Sequence, residues 1–363
     1  MAGSTQQDPD AAHSSVPAPP SAAPSKRARI LQRTLYGGGL ALTCAGVLWF
    51  AHAVGDATPV LIVSSLVAIL GLIEVSLMGT IFLRALPVIL IMPAVGVTLI
   101  EFACIERPPA VQPWEQLSLE YLCAASLGLL AHGLTRGLQH QKLARQLLIL
   151  GVSAAAVAAF AWLDAKNMNP LEVLPAFAGF ALLALALALA VSRTPSRRLD
   201  LAISVGLSLW IAVPLPALAQ VERLWGVSGL VSLIVLSKIG DVAGYYVGNA
   251  IGRTHPFPKL SPGKTTAGCV SSLIAGIAMG AALSWSGLLP AGTWGIAGGA
   301  LIGACINVAS QAGDLFESWV KRRTRVKDSS TWLGPSGGVL DVVDSLLFSV
   351  PTALVVWPLL LPA

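Results

Sequence analysis

Apolar stretches of about 20 residues recur along nearly the whole chain. They lie at roughly 35–54, 57–77, 85–104, 116–134, 145–163, 171–191, 200–220, 226–247, 268–289, 293–311 and 338–361. An α-helix rises about 1.5 Å per residue, so each is long enough to cross a hydrocarbon core about 30 Å thick. Lipid offers backbone N–H and C=O groups no partners, which leaves helices or closed barrels as the only spanning structures. No period-2 alternation marks barrel strands. The pattern predicts an all-α, polytopic integral membrane protein with 9–11 transmembrane helices. The range comes from the second and third stretches, where Glu74, the joint at Arg84 and the prolines Pro87 and Pro93 also suit a re-entrant pair. Composition agrees: of 363 residues, 55% are hydrophobic and only 11% charged, against about a quarter charged in soluble domains.

Charge placement orients the chain, because Lys and Arg concentrate in cytoplasmic loops. With these spans, 19 of the 23 Lys and Arg residues fall on one side, and only Arg107, Lys166 and Arg223 on the other; Lys238 lies inside a span. The expected location is the bacterial plasma membrane, with the N-terminus and both long basic loops in the cytoplasm. The pI near 9.1 then records orientation, and no nucleic-acid partner is expected. Residues 1–30 read as a disordered tail rich in Pro, Ala and Ser, residues 31–225 as N-terminal helices, and residues 226–363 as the region holding the chemistry. A cleavable signal peptide is not expected, since the first apolar run starts near Leu35 behind a polar lead. The five cysteines sit inside apolar runs without metal-ligand spacing and read as small buried hydrophobes. Trp294, Trp332 and Trp357 fit interfacial anchors.

The stretch 313–345, GDLFESWVKRRTRVKDSSTWLGPSGGVLDVVDS, sets carboxylates on both sides of a dense basic loop. Asp314 closes one apolar run, and Asp341 and Asp344 open the next across the Gly337-Gly338 turn. Asp341 and Asp344, at i and i+3, are expected to share a helix face. An unpaired carboxylate in such a place is costly. A hard cation such as Mg2+ takes oxygen ligands and typically bridges one or two carboxylates to substrate phosphates, so Asp314, Asp341 and Asp344 are expected to converge on one. Lys321, Arg322, Arg323, Arg325 and Lys327 would neutralise phosphate oxygens.

A second cluster runs from Lys238 to Gly268. Lys238 and Asp241 lie at i and i+3 inside a span and read either as a self-neutralising pair or as part of a site. Gly240, Gly244, Gly248 and Gly252 recur every four residues and predict close helix packing. The turn Ser261-Pro262-Gly263-Lys264-Thr265 offers hydroxyls, an ammonium group and backbone N–H groups, which suit a polyphosphate. The Gly-Lys-Thr triplet lacks the earlier glycine and the βα unit of a P-loop.

These residues resemble the phosphatidate cytidylyltransferases, also called CDP-diacylglycerol synthases. The family's C-terminal pattern is met at Ser318, Lys321, Arg322, Lys327, Asp328, Gly337, Gly338, Asp341 and Asp344, and its upstream elements at Asp241, Gly244, Tyr245, Gly248, Ser261, Pro262, Lys264 and Thr265. Ser336 stands where the family has His, and Val342 where it has Arg. The resemblance implies that CTP and phosphatidic acid, or a related lipid phosphate, are joined to give CDP-diacylglycerol and pyrophosphate. Asp314, Lys321, Arg322, Asp341 and Asp344 would be catalytic, with Asp241, Tyr245, Ser261, Lys264, Thr265, Ser318, Lys327, Asp328, Gly337 and Gly338 binding substrate. Mg2+ would sit on Asp314, Asp341 and Asp344, with Asp241 holding a second cation or ordering the pocket. Membrane lipids and a second copy of the chain are further expected partners. Two other readings stay open: a CTP-dependent lipid kinase of the polyprenol or phytol type, and a transporter of an anionic solute.

Overall fold

The computed structural model describes residues 26–78, 87–105, 112–137, 195–289, 292, 294–334 and 337–360. All regular elements among them are helices: α1 (Lys26–Val54), α2 (Thr58–Met78), α3 (Pro87–Cys104), α4 (Pro113–Gly137), α5 (Pro195–Ala212), α6 (Leu218–Ile251), α7 (Thr266–Trp285), α8 (Gly295–Arg323), α9 (Leu340–Val343) and α10 (Leu346–Leu360). The expected spans at 145–163 and 171–191 lie outside the described residues, as do residues 1–25 of the expected tail. Residues 26–30 already belong to α1.

The chain is an all-α polytopic membrane protein. Among the described residues, Thr58–Met78, Leu218–Ile251, Thr266–Trp285, Gly295–Arg323 and Leu340–Leu360 are long and apolar enough to cross a membrane, and Ala41–Val54, Ile91–Phe102 and Ala202–Ala212 are shorter apolar helices.

Local chemistry sets several helix ends. Asp56 Oδ1 accepts from the Thr58 N–H at 2.7 Å, satisfying an orphan donor at the start of α2. Glu115 reaches back to the Gln112 N–H at 2.9 Å, and Pro113 takes the first helical position of α4. The expected span at 200–220 ends early. Pro214 and Pro216 supply no backbone donors, so α5 stops at Ala212 and α6 starts at Leu218. Gly226, at φ 67°, kinks α6 near its start.

Lipid gives helices no hydrophobic reason to associate, so close packing must come from small residues. Gly276 and Gly280 on α7 face Gly299 and Gly303 on α8, and a Cβ on any of them would overlap the backbone opposite. The predicted stripe on α6 does pack: a Cβ on Gly244 would stand 3.2 Å from the Gly268 carbonyl oxygen of α7. Behind these contacts lies an apolar core of Leu230, Leu233, Leu236, Ile302, Ile306, Leu347, Val350 and Leu354. Trp357 belongs to this core rather than to the interface. It is fully buried, edge-on to Trp225 with ring centroids 5.0 Å apart, while Trp294 and Trp332 are exposed.

Near the N-terminal end of α6 a polar clasp joins three helices. Arg223 donates to the Cys104 carbonyl of α3 and, at 2.6 Å, to Gln116 Oε1 of α4. Gln116 donates in turn to Glu120 at 3.0 Å. Glu101 and Glu120 are buried within hydrogen-bonding reach of each other, and Glu101 lies within the field of Arg223.

Candidate active site

α8 runs to Arg323, well past the expected span end at 311. Asp314, Glu317, Ser318, Lys321 and Arg322 therefore sit on a helix, not in a loop. Lys321, Arg322 and Arg323 fill its last turn, where cations complement the negative end of the helix dipole. The chain then reverses through a Schellman motif: the Val326 N–H bonds to the Lys321 carbonyl at 3.0 Å and the Arg325 N–H to that of Arg322 at 3.2 Å. Arg325 takes the left-handed position at φ 61°, normally given to glycine.

Opposite this helix end lies the turn before α7. Thr265 is the N-cap of α7, its hydroxyl oxygen accepting from the Gly268 N–H at 3.1 Å, and the Thr266 N–H ties the turn to the Thr254 carbonyl at 2.9 Å. Lys264 is thereby aimed at Asp314, with 3.1 Å between Nζ and Oδ2. Asp241 and Asp344 both lie within hydrogen-bonding reach of the Asp314 carboxyl. Lys238 stands 3.6 Å from Asp344 and donates to the Val342 carbonyl at 2.7 Å. Gly240, Asp241, Tyr245, Lys264, Gln311 and Asp314 are among the residues lining a cavity of about 280 Å³ beside this cluster.

A second cluster adjoins the first. The Lys321 ammonium lies 2.6 Å from both Glu317 Oε2 and Asp341 Oδ1. Asp341 Oδ2 accepts from the Ser329 N–H at 2.9 Å, the Ser329 hydroxyl at 2.7 Å and the Gly338 N–H at 2.7 Å. Gly337, at φ 85°, makes the turn that brings the Gly338 N–H round to the carboxylate, and a Cβ there would run into Asp341 itself. The segment is also tied to Glu74 on α2, which accepts from Ser329, Ser330, Val339 and Leu340.

Side-chain directions revise the expected metal set. Asp341 and Asp344 meet different partners although the backbone between them stays helical, the Asp344 N–H bonding to the Leu340 carbonyl at 3.0 Å. Asp341 is wrapped by Lys321, Ser329 and Gly338, whereas Asp344 faces Asp314 and Lys238. Asp241, the expected second-cation residue, takes the third place beside Asp314. Lys238 forms its ion pair with Asp344 instead of closing on Asp241.

The remaining expected residues spread around this centre. Tyr245 is exposed at the cavity rim, and the Ser261 carbonyl accepts from the Lys264 N–H at 3.1 Å. Arg322 Nε reaches the Leu260 carbonyl at 3.4 Å, bridging the two basic segments. Ser318 is half-buried on α8, and Lys327 and Asp328 are exposed. Ser336 lies outside the described residues, while Val342 packs against the apolar core. Two residues were missed by sequence reasoning. Glu317 was detectable from its i, i+4 spacing to Lys321 once that segment is helical. Glu74 read as a possible break, although α2 passes through it uninterrupted.

The Asp314 cluster fits a cation. Three carboxylates face two ammonium groups there, and Asp314 Oδ1 is buried without any hydrogen-bond donor. No group of three acidic, His or Cys side chains forms a ready cage among the described residues. Mg2+ seldom uses such cages, and binds through one or two carboxylates, waters and substrate phosphates.

Fold and site together define a polytopic helical membrane protein with a lysine-and-carboxylate centre beside a cavity. A family model described as the cytidylyltransferase family matches residues 110–360, and the chain belongs to that family. It is 37% identical over 131 residues to a phosphatidate cytidylyltransferase of Brucella suis biovar 1 (strain 1330), covering 36% of this chain and 47% of that protein. The enzyme of the same name from Aquifex aeolicus (strain VF5) is 38% identical over 113 residues, 31% of this chain and 40% of that one. The uncharacterized protein YnbB of Escherichia coli (strain K12) is 36% identical over 123 residues, 33% of this chain and 39% of the relative. The chain thus spans about half the length, or less, of these curated relatives.

Proposed function

We propose that this protein is a phosphatidate cytidylyltransferase, joining CTP and phosphatidic acid into CDP-diacylglycerol with release of pyrophosphate. An oxygen of the lipid phosphate attacks the α-phosphorus of CTP. A new phosphoanhydride bond forms as the bond between the α- and β-phosphates breaks, and the β and γ groups leave together. The observation that carries this reading is the Lys264–Asp314 contact beside the cavity, with one Asp314 oxygen buried and unpaired.

The lipid phosphate is already an anion at neutral pH, so the reaction needs no strong base. It needs positioning, and neutralisation of two anions that repel each other. Lys264 and the Thr265 hydroxyl, at the positive end of α7, would bind the triphosphate. Arg322, exposed next to the Leu260 turn, is placed to meet the departing pyrophosphate or the lipid phosphate. Asp314, with Asp241 and Asp344, would hold Mg2+, which supplies charge neutralisation and alignment of the phosphates when bound. Asp341 and Lys321 are engaged with each other and would shape the wall of the site.

Phosphatidate keeps its tails in the bilayer and CTP arrives from water, so we place the site at the inner headgroup level of a bacterial plasma membrane, facing the cytoplasm. The charge bias of the loops supports that orientation. The family match favours cytidylyl transfer over γ-phosphate transfer and over transport. Purified protein given phosphatidate, Mg2+ and CTP labelled at either the α- or the γ-phosphate tests this. Label from the α position is expected in lipid; lipid labelled only from the γ position, or not labelled at all, overturns the proposal.

A further inference from the structure

Glu74 is fully buried on the bundle-facing side of α2, about one turn from its C-terminal end at Met78, a costly place for a carboxylate in a membrane span. It accepts hydrogen bonds from Ser330 Oγ at 2.6 Å, the Val339 N–H at 2.8 Å and the Leu340 N–H at 2.8 Å, and shares a fourth donor, Ser329 Oγ at 3.0 Å, with Asp341. A carboxylate offers about four acceptor sites; the single Ser329 hydroxyl proton is shared with Asp341 Oδ2 at 2.7 Å, so Glu74 holds three donors of its own and part of a fourth, which leaves it little capacity for substrate or metal. All four donors belong to one segment, about 255 residues further along the chain. Two of them, Val339 and Leu340, stand at the start of α9, where N–H groups have no acceptor within the helix.

The same segment wraps Asp341. Ser329 and Gly338 donate to Asp341 Oδ2, and the Ser329 hydroxyl lies between the two carboxylates, 3.0 Å from Glu74 and 2.7 Å from Asp341. Asp341 in turn holds the Lys321 ammonium at 2.6 Å. Space is as tight as the bonding, since a Cβ on Gly338 would come within 2.5 Å and 2.6 Å of the two Glu74 oxygens. Glu74 thus pins both ends of the 329–340 segment while taking no place in the cavity lining.

From this we infer that Glu74 is a positioning residue: it fixes the segment around Asp341 and so sets where the Asp341–Lys321 pair stands beside the reacting phosphates. This rests on the function proposed above. The residue lies in the N-terminal helices, so the site would depend on α2 as well as on the C-terminal region.

The test is E74Q, similar in size but with an –NH2 where an acceptor stood, followed by backbone amide exchange and by kinetics with CTP and phosphatidate. Exchange at Val339 and Leu340 is expected to quicken at least about tenfold, with α7 amides unchanged. Turnover per folded molecule should fall about tenfold to a hundredfold, and KM for CTP should stay within about threefold. A purely structural role would lower the folded yield and loosen the bundle generally, leaving kcat of the folded fraction in place. S330A removes one of the four bonds and should show the same pattern more weakly, which keeps the test available if E74Q does not fold. Unchanged exchange at Val339 and Leu340, or quickened exchange with kcat within about twofold of the parent, overturns the proposal. A parent protein unable to transfer cytidylate overturns the proposed reaction instead, and exchange alone then decides whether Glu74 holds the segment.

Discussion

Lys264 Nζ stands 3.1 Å from Asp314 Oδ2, joining the turn before α7 to the C-terminal half of α8 across 50 residues of chain. The contact satisfies one oxygen of the carboxylate and leaves the other, Oδ1, buried and unpaired. A fixed ammonium and a free anionic oxygen on adjacent sides of one cavity are suited to phosphate and cation in turn.

Substituting Asp314 by Asn removes that charge while keeping its shape. Turnover is expected to drop by about 10²–10³-fold, the scale of losing one electrostatic contact to a transition state, with the elution profile and unfolding temperature kept. Lys264→Met should act mainly on nucleotide binding, raising KM for CTP about tenfold. CDP-lipid formation by each purified variant checks both. Asn at 314 with turnover near the parent's would remove Asp314 from the site.

Mg2+ binding is testable without activity. A ligand that binds only the folded state stabilises it by about 2.7 kcal/mol at a hundred times its Kd. Adding Mg2+ with CTP should therefore raise the unfolding temperature of the parent protein, and chelation should reverse it. The Asp314→Asn protein should show little of that increment. An equal rise in both proteins would place the cation elsewhere.

Lys321 sits between two acids that are themselves within hydrogen-bonding reach. Lys321→Met would leave Glu317 and Asp341 facing each other without their cation, and breaking a buried pair in this way typically costs about 3–5 kcal/mol. Detergent-phase thermal unfolding should show a clear loss. The double substitution Lys321→Met with Glu317→Gln should recover part of it, because one of the opposed charges is then gone.

Much of this architecture was legible in the sequence because lipid allows a backbone so few options. The span pattern found the helices of the described residues, and the acids and bases around Asp314 and Lys264 stood out against an apolar background. Directions of side chains were not legible. Asp341 and Asp344 are three residues apart on helical backbone, yet one carboxylate meets Lys321 and Ser329 and the other Lys238, so spacing alone did not give their partners. The α8 extension to Arg323 was hidden by its charges, which mimic a loop until Leu315, Phe316, Trp319 and Val320 are recognised as a helical stripe. Glu74 could not be matched to its partners, since nothing local ties α2 to a segment 255 residues away.

The α7–α8 seam offers a packing test. A Cβ on Gly280 would overlap the Gly299 carbonyl and approach the Gly303 Cα to 2.9 Å. Gly280→Val should force the helices apart, costing about 1–3 kcal/mol as overpacking, whereas Gly263→Ala, with open space around it, should leave the unfolding temperature unchanged. Similar thermal stability for the two variants would show that the seam tolerates separation.

The clasp around Arg223 separates stability from catalysis. Arg223 and Asp241 are 18 positions apart in the chain and lie on opposite sides of the Gly226 kink in α6. Arg223 has two hydrogen-bonded contacts, to Cys104 and Gln116, and its charge lies within reach of buried Glu101, which faces Glu120. Arg223→Leu leaves the Cys104 carbonyl and Gln116 Oε1 without their donor and removes the positive charge near buried Glu101, so a loss of about 1–3 kcal/mol is expected in thermal unfolding. Adding Glu101→Gln should return part of the loss, because the remaining acid no longer faces a like charge. KM for CTP should stay at the parent value in the folded fraction, since the clasp and the cavity share no side chain. A change in KM without a change in stability would mean that the two ends of α6 are coupled through the helix, and the Gly226 kink would be the place to look for that coupling.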